Sequence, residues 1–262
     1  MTTVRRPVLA FDGAAASRRD DLLAEEGPVE IRLGGVPLAV LMRTPGRDED
    51  LARGFALTEG IIIEPAEISS VEPVGDGDRH EIILAEGIRI DPEQFRRSAY
   101  VSSSCGVCGK ASIDAVRVAA RRPPSGPSLT SELPERWMQA LSGVQPGFAL
   151  SGGLHAAAVC APDGSLLCSA EDVGRHNAVD KAIGRLTATR WPLGEVILVV
   201  SGRVSFEIVQ KAAVAGIPVV AGVSAASSSA ADLAGELGLT LIGFNRDQRF
   251  VVYAGVERFT DL

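Results

Sequence analysis

The chain is poor in net positive charge, in long apolar runs and in cysteine, and each shortage removes a class of function. Its 262 residues carry 26 Lys and Arg against 33 Asp and Glu, a formal net charge of −7. A general nucleic-acid or membrane-surface role needs a basic face, so neither is expected. Local anion sites made of backbone N–H groups remain open to it. The best apolar run, Val196 to Val200, is only as long as a strand, far short of a bilayer span. No apolar stretch follows the basic residues near Met1 to Arg6, so no secretory leader is expected. The four cysteines, Cys105, Cys108, Cys160 and Cys168, are too few for a disulfide scaffold. The expectation is a cytoplasmic protein with reduced thiols. Its apolar share of 46% and charged share of 23% are those of an ordinary globular chain, long enough for one large or two small domains.

What is present centres on Cys105-Gly-Val-Cys108-Gly-Lys110. Three serines lead into it, and a helical pattern from Ala111 to Ala120 leads out, with Ile113, Val116 and Ala120 on one face. Two thiols therefore sit in a glycine-rich loop at a helix mouth. Free N–H groups, the helix dipole and Lys110 all favour the thiolate there, the form that acts as nucleophile or metal ligand. A zinc half-site or an adventitious disulfide is the plainer reading of the same spacing. The loop is not a phosphate-binding P-loop, because Ala111 stands where Ser or Thr is required.

Residues 1–27 read as a flexible N-terminal tail. An N-terminal subdomain over 28–122 follows, rich in hairpins: Val29–Leu33 with Val36–Arg43, then Ile68–Val74 with His80–Leu84. A helix from Asp48 to about Glu59 lies between them, with three acidic residues in its first turn. His80, at a strand edge, reads as a solvated residue without a role. The prolines of 121–128 mark a linker.

The C-terminal part, 129–262, opens with a short helix from Ser131 that turns Trp137 and Leu141 inward. Cys160 and Cys168 lie on apolar strand segments and read as buried structural thiols. In Glu171-Asp-Val-Gly-Arg175-His176-Asn177-Ala-Val-Asp-Lys181, the stripe Val179, Ala182, Ile183 and Leu186 marks a buried helix face. Projected back one turn, it places Arg175 and His176 on the inward side, with an Asp172–Arg175 contact as the structural alternative. Three strand-to-helix steps then imply a mostly parallel sheet flanked by helices. Ligands of such sheets bind beyond the strands' carboxyl ends. Those ends carry Ser201, Gly202 and Arg203, a serine run, and Phe244-Asn245-Arg246-Asp247-Gln248-Arg249, where small residues and arginines suit phosphate. The chemistry these features allow is disulfide exchange, persulfide carriage or zinc binding.

These segments, with Gly152-Gly-Leu-His155-Ala156, Ser201-Gly-Arg-Val-Ser205, Leu239-Thr-Leu-Ile-Gly-Phe244, Arg43-Thr-Pro and Gly54-Phe-Ala-Leu-Thr-Glu-Gly60, resemble the FdhD family of formate dehydrogenase accessory sulfurtransferases over residues 28 to 255. The resemblance implies an α/β fold with a cytidine-deaminase-like core. It implies a homodimer and a cytoplasmic sulfur carrier that takes sulfur from a cysteine desulfurase as a persulfide. That sulfur is passed to the bis-molybdopterin guanine dinucleotide form of molybdenum cofactor, for formate dehydrogenase. Cys105 would bear the persulfide with Cys108 as its partner. The cofactor would lie against Phe244 to Arg249, with Ser201, Gly202, Arg203, His155, Arg175 and His176 as the other candidates. No tightly bound metal is expected. Rival readings are a non-catalytic cofactor chaperone and a zinc-bound hydrolase or thiol oxidoreductase. Deamination is disfavoured, since Ala157 occupies the place of the general acid–base Glu and the cysteine pair precedes His155.

Overall fold

The computed structural model describes residues 2–95 and 125–262. Cys105, Cys108, Lys110 and the helical pattern after them lie outside these residues. The described chain forms three sheets. The first is a ribbon, β1 (Thr3–Asp12) and β2 (Ala15–Ala24). The second has four strands, β3 (Gly27–Leu33), β4 (Val36–Arg43), β5 (Ile68–Val74) and β6 (Arg79–Leu84), in the order β4-β3-β6-β5. The third has six: β7 (His155–Cys160), β8 (Leu166–Asp172), β9 (Ile197–Val200), β10 (Val219–Gly222), β11 (Thr240–Arg246) and β12 (Arg249–Ala254). Their order is β12-β11-β10-β9-β7-β8.

Six α-helices are described: α1 (Asp48–Thr58), α2 (Leu133–Ser142), α3 (Pro146–Ser151), α4 (Arg175–Thr187), α5 (Phe206–Val214) and α6 (Ser228–Leu237). α5 connects β9 to β10 and α6 connects β10 to β11, and these three strands pair in parallel. The sheet as a whole is mixed. β7 returns antiparallel to β9, β8 to β7, and β12 to β11, so the parallel run expected from the sequence is confined to the centre.

One hydrophobic core joins the four-stranded sheet, through α1 and α4, to one face of the six-stranded sheet; it includes Ile31, Leu51, Phe55, Val179, Ile183 and Leu198. A second core on the opposite face holds Trp137 and Leu141 of α2, both fully buried as their spacing predicts. α1 and α4 meet backbone to backbone. A Cβ on Gly54 would stand 1.8 Å from the Asp180 carbonyl oxygen, and one on Gly184 would stand 1.9 Å from that of Asp50. Glycine is therefore required at both crossings, for lack of space.

Below this crossing lies a buried ion cluster. The Lys211 ammonium donates to both Asp180 oxygens at 2.9 and 2.8 Å, to Glu59 at 3.0 Å and to Thr58 at 2.9 Å. A second buried network ties β4 to α4. The Thr44 N–H donates to Asp172 Oδ2 at 3.1 Å, Lys181 Nζ donates to the Thr44 carbonyl at 2.7 Å, and Asn177 Nδ2 donates to the Met42 carbonyl at 2.8 Å. Each buried polar group there finds a partner across the seam, which fixes how the two sheets sit.

Two expectations need correction. Residues 3–24, read as a tail, pair residue for residue from Thr3↔Ala24 to Asp12↔Ala15 around a turn at Gly13, whose φ is +57°. The ribbon buries neither face, so it lacks the period-2 hydrophobic alternation that marks a strand. His80, read as solvated, is only 8% exposed. Strand β6 lies inside its sheet, with Ile31 of β3 on one side and Pro73 of β5 on the other, and His80 shares the inward face with Ile82.

Candidate functional site

Strands β9, β10 and β11 end at one edge of the six-stranded sheet, and a cavity of about 720 Å³ opens there. Ser201 follows β9, Val223 follows β10, and Asn245 to Gln248 close β11, all lining the cavity. The position is the one that parallel strands with crossover helices create. β7 runs the other way, so its first residue, His155, joins the same wall. Ser201 locks the corner: its Oγ accepts the Ala156 N–H at 2.9 Å, and its own N–H donates to the Ala156 carbonyl at 3.0 Å.

Behind His155 lies a cluster drawn from α4 and the start of α5. A Cβ on Gly202 would stand 3.4 Å from His155 Nδ1 and 3.9 Å from Arg175 Cδ, so the bare Gly202 backbone packs against both side chains. Burial pushes the His155 pKa below its ordinary value, and the charges of Arg175 and His176 push it further the same way. Its imidazole is therefore neutral at pH 7. Arg175 Nε is buried with no hydrogen-bond partner among the described residues. His176 is buried, its Nε2 3.5 Å from Ser205 Oγ and 3.8 Å from Glu207 Oε2. The His176 imidazole holds the Glu207 carboxyl down at about 2, against the effect of its own burial.

The far wall is the hairpin tip. Asp247 and Gln248 form its two-residue turn between the paired Arg246 and Arg249, with φ of +52° and +60°. Such turns require positive φ at both positions, and glycine is the usual second residue. Gln248 in that place costs about 1 kcal/mol, and Phe244 is also held at +49°. Backbone held in a disfavoured region concentrates at working sites.

The structure thus brings His155, Ser201, Asn245, Arg246, Asp247 and Gln248 to one cavity, with Gly202, Arg175 and His176 directly behind it. Asn245 is 2% exposed, and its Nδ2 donates to the Pro134 carbonyl at 2.7 Å, so it anchors α2. Arg203, Phe244 and Arg249 are exposed and do not line the cavity. The Asp172–Arg175 contact is not formed; Asp172 pairs with Lys181 at 2.7 Å instead. The sequence reading missed Glu135, Met138, Gln139 and Ser142 of α2, Gln145 just before α3, and Phe148 within it, all of which line the cavity. Positions 135, 138, 139 and 142 repeat at helical spacing, a second stripe beside the apolar one. Ser205 and Glu207 were missed as partners of His176.

Cys160 is fully buried, and burial pushes its thiol up to about 12. Cys168 is pushed up by burial to about 11, and its Sγ donates to the Ala182 carbonyl at 3.2 Å. Neither forms a thiolate at neutral pH, as their apolar strand positions predict. Among the described residues no group of His, Cys, Asp and Glu is placed to hold a metal ion. No helix among them is long and apolar enough to cross a membrane.

Three comparisons bear on this arrangement. The family model described as FdhD/NarQ matches residues 24–260. The sulfur carrier protein FdhD of Streptomyces coelicolor is 48% identical, over 98% of this chain and 95% of that protein. The sulfur carrier protein FdhD of Mycobacterium tuberculosis is 42% identical, over 98% of this chain and 99% of that one. In the crystal structure of a Desulfotalea psychrophila chain described as a formate dehydrogenase accessory protein, the same fold recurs with a TM-score of 0.77. That match covers 99% of this chain and all of that one at 22% identity. With the family model spanning both sheets and the cavity at the edge of the six-stranded one, the chain belongs to the FdhD/NarQ family.

Proposed function

We propose that this protein is a cytoplasmic sulfur carrier whose cargo is the bis-molybdopterin guanine dinucleotide form of molybdenum cofactor, destined for formate dehydrogenase. In the loading step a desulfurase persulfide, Cys–S–SH, gives its outer sulfur to the Cys105 thiolate. A Cys105 persulfide forms, and the desulfurase cysteine leaves as the thiol once it takes up a proton. Cys108 is the resolving thiol. The cavity at the strand ends takes the anionic cofactor, with Arg246 at its rim and small residues, Gly152, Gly153 and Ser201, where phosphate must come close to backbone. The protein works as a homodimer.

The observation that carries this reading is the division among the thiols. Cys160 and Cys168 are buried and held protonated, so exchangeable sulfur falls to the pair at Cys105 and Cys108. Family membership and a cavity with cationic and neutral donors at the sheet edge agree with it. The test is intact mass after incubation with a cysteine desulfurase and cysteine. Wild type gains one reducible sulfur, roughly 32 Da, and Cys105→Ala does not. Full loading of Cys105→Ala, or no loading of wild type, refutes the proposal.

A further inference from the structure

Beyond its root, the β1–β2 ribbon buries neither face against the described residues. Two-stranded ribbons are marginal in water unless something covers them. Here Leu9 and Phe11 share one face near the tip and are 56% and 69% exposed. At the other end the ribbon is rooted on α3, where Thr2 approaches Gly147, and on the turn after it, where Ala24 approaches Gly153. That helix shows a second exposed apolar pair, Phe148 at 47% and Leu150 at 58%. Ten residues per strand give a ribbon of about 33 Å, so the tip cannot reach its own base. It can reach the base of another copy.

The charges favour that occupant. The ribbon carries Arg5, Arg6, Arg18 and Arg19 against Asp12, Asp20 and Asp21, a net +1 on a chain of −7. Arg18 stands directly across from Leu9. At the landing surface, Glu171 accepts the N–H groups of Gly147 and Phe148, both at 2.8 Å, which fixes a carboxylate beside Phe148. Apolar tip and flanking arginine thus match apolar helix and flanking carboxylate.

We infer that two copies exchange ribbons. Leu9 and Phe11 of each lie on Phe148 and Leu150 of the partner subunit, with Arg18 near Glu171 of the partner subunit. A two-fold axis makes the contact reciprocal. Because Phe148 also lines the cavity, the exchange sets the partner's ribbon at its rim. The inference deepens the homodimer of the preceding reading by naming its contact surface.

The experiment is light scattering on the full chain, with Leu9→Lys/Phe11→Lys and, independently, Leu150→Glu. Both variants should weaken dimerisation roughly tenfold or more, as expected when charge replaces buried apolar surface. Both should move toward the 27.4 kDa monomer with an unchanged far-UV spectrum. A photo-cross-linker placed at Phe11 should join residues 146–151 of an isotopically labelled second copy. A monomeric wild type would remove the homodimer and the exchange together. A dimer that persists in both variants, or cross-links confined to one copy, would overturn the exchange alone.

Discussion

Replacing Lys181 by Met probes the seam that carries the site. Lys181 is 1% exposed, and its Nζ lies 2.7 Å from Asp172 Oδ2 and 2.7 Å from the Thr44 carbonyl. Asp172 is fully buried and also accepts the N–H groups of Thr44 at 3.1 Å and Gly174 at 2.8 Å, and Asn177 Nδ2 at 3.0 Å. Methionine fills similar volume but removes the only cation paired with that carboxylate among the described residues. An uncompensated buried charge costs about 3–5 kcal/mol. Removing both charges with Asp172→Asn/Lys181→Met should cost less than Lys181→Met alone, through a coupling of about 1–3 kcal/mol. Urea unfolding followed by Trp137 fluorescence should show the single variant's midpoint lower by about 1–2 M. The deficit should shrink as pH falls through the carboxylate range, since protonation relieves the stranded charge. A Lys181→Met variant within about 1 kcal/mol of wild type would refute this account, as would strict additivity in the double variant.

Three further expectations follow from the same geometry. Gly54→Ala should destabilise by about 3 kcal/mol or more, because its Cβ meets the Asp180 backbone, whereas Gly235→Ala on α6, with open space around it, should be neutral or stabilising; urea midpoints separate them. Iodoacetamide at neutral pH should leave Cys160 and Cys168 unmodified in the folded protein, and peptide mapping that finds either one alkylated at the rate of an exposed thiol would contradict their burial. In an NMR titration His155 should lose its proton below the ordinary pH of about 6.5, and Arg175→Ala should raise that value. The unfolded chain binds that proton more readily, so His155 withdraws stability as pH falls through 6.5. A His155 titration at or above the free-imidazole value would refute the assignment.

The elements legible in the sequence were those with one strongly apolar face. Val179, Ala182, Ile183 and Leu186 set the phase of α4, and the short β-branched runs announced β9, β10 and β11 in order. The site was legible as a set of loops and less so as side-chain directions. Asn245 turns in and Arg249 out because the register of β11 and β12 shifts between Gly243 and Arg246 and Phe244 takes positive φ. A bulge reverses the alternation that a strand pattern assumes. The α2 stripe was hidden because Glu135, Gln139 and Ser142 look like a solvated helix face, and Gln139 and Ser142 do stay exposed where they line the cavity. His80 was misplaced because a hairpin does not reveal which neighbour its second strand will take.

The eleven residues from Glu171 to Lys181 hold the seam between the sheets and also back the cavity wall, so their variants separate into two kinds. Asp172, Asn177 and Lys181 grip Met42 and Thr44 and so hold the two sheets together. Arg175 and His176, only a few residues along, stand behind the cavity wall beside Gly202 and His155. Asp172 also accepts the N–H of Gly174 and thereby sets the first turn of α4 from which both site residues project. A substitution at Asp172 would therefore disturb Arg175 and His176 from outside the cavity, by releasing that turn. Loss of activity with a lowered unfolding midpoint belongs to the clamp. Loss of the proposed activity at His155 or Arg246, which line the cavity, with the midpoint unchanged belongs to the cavity.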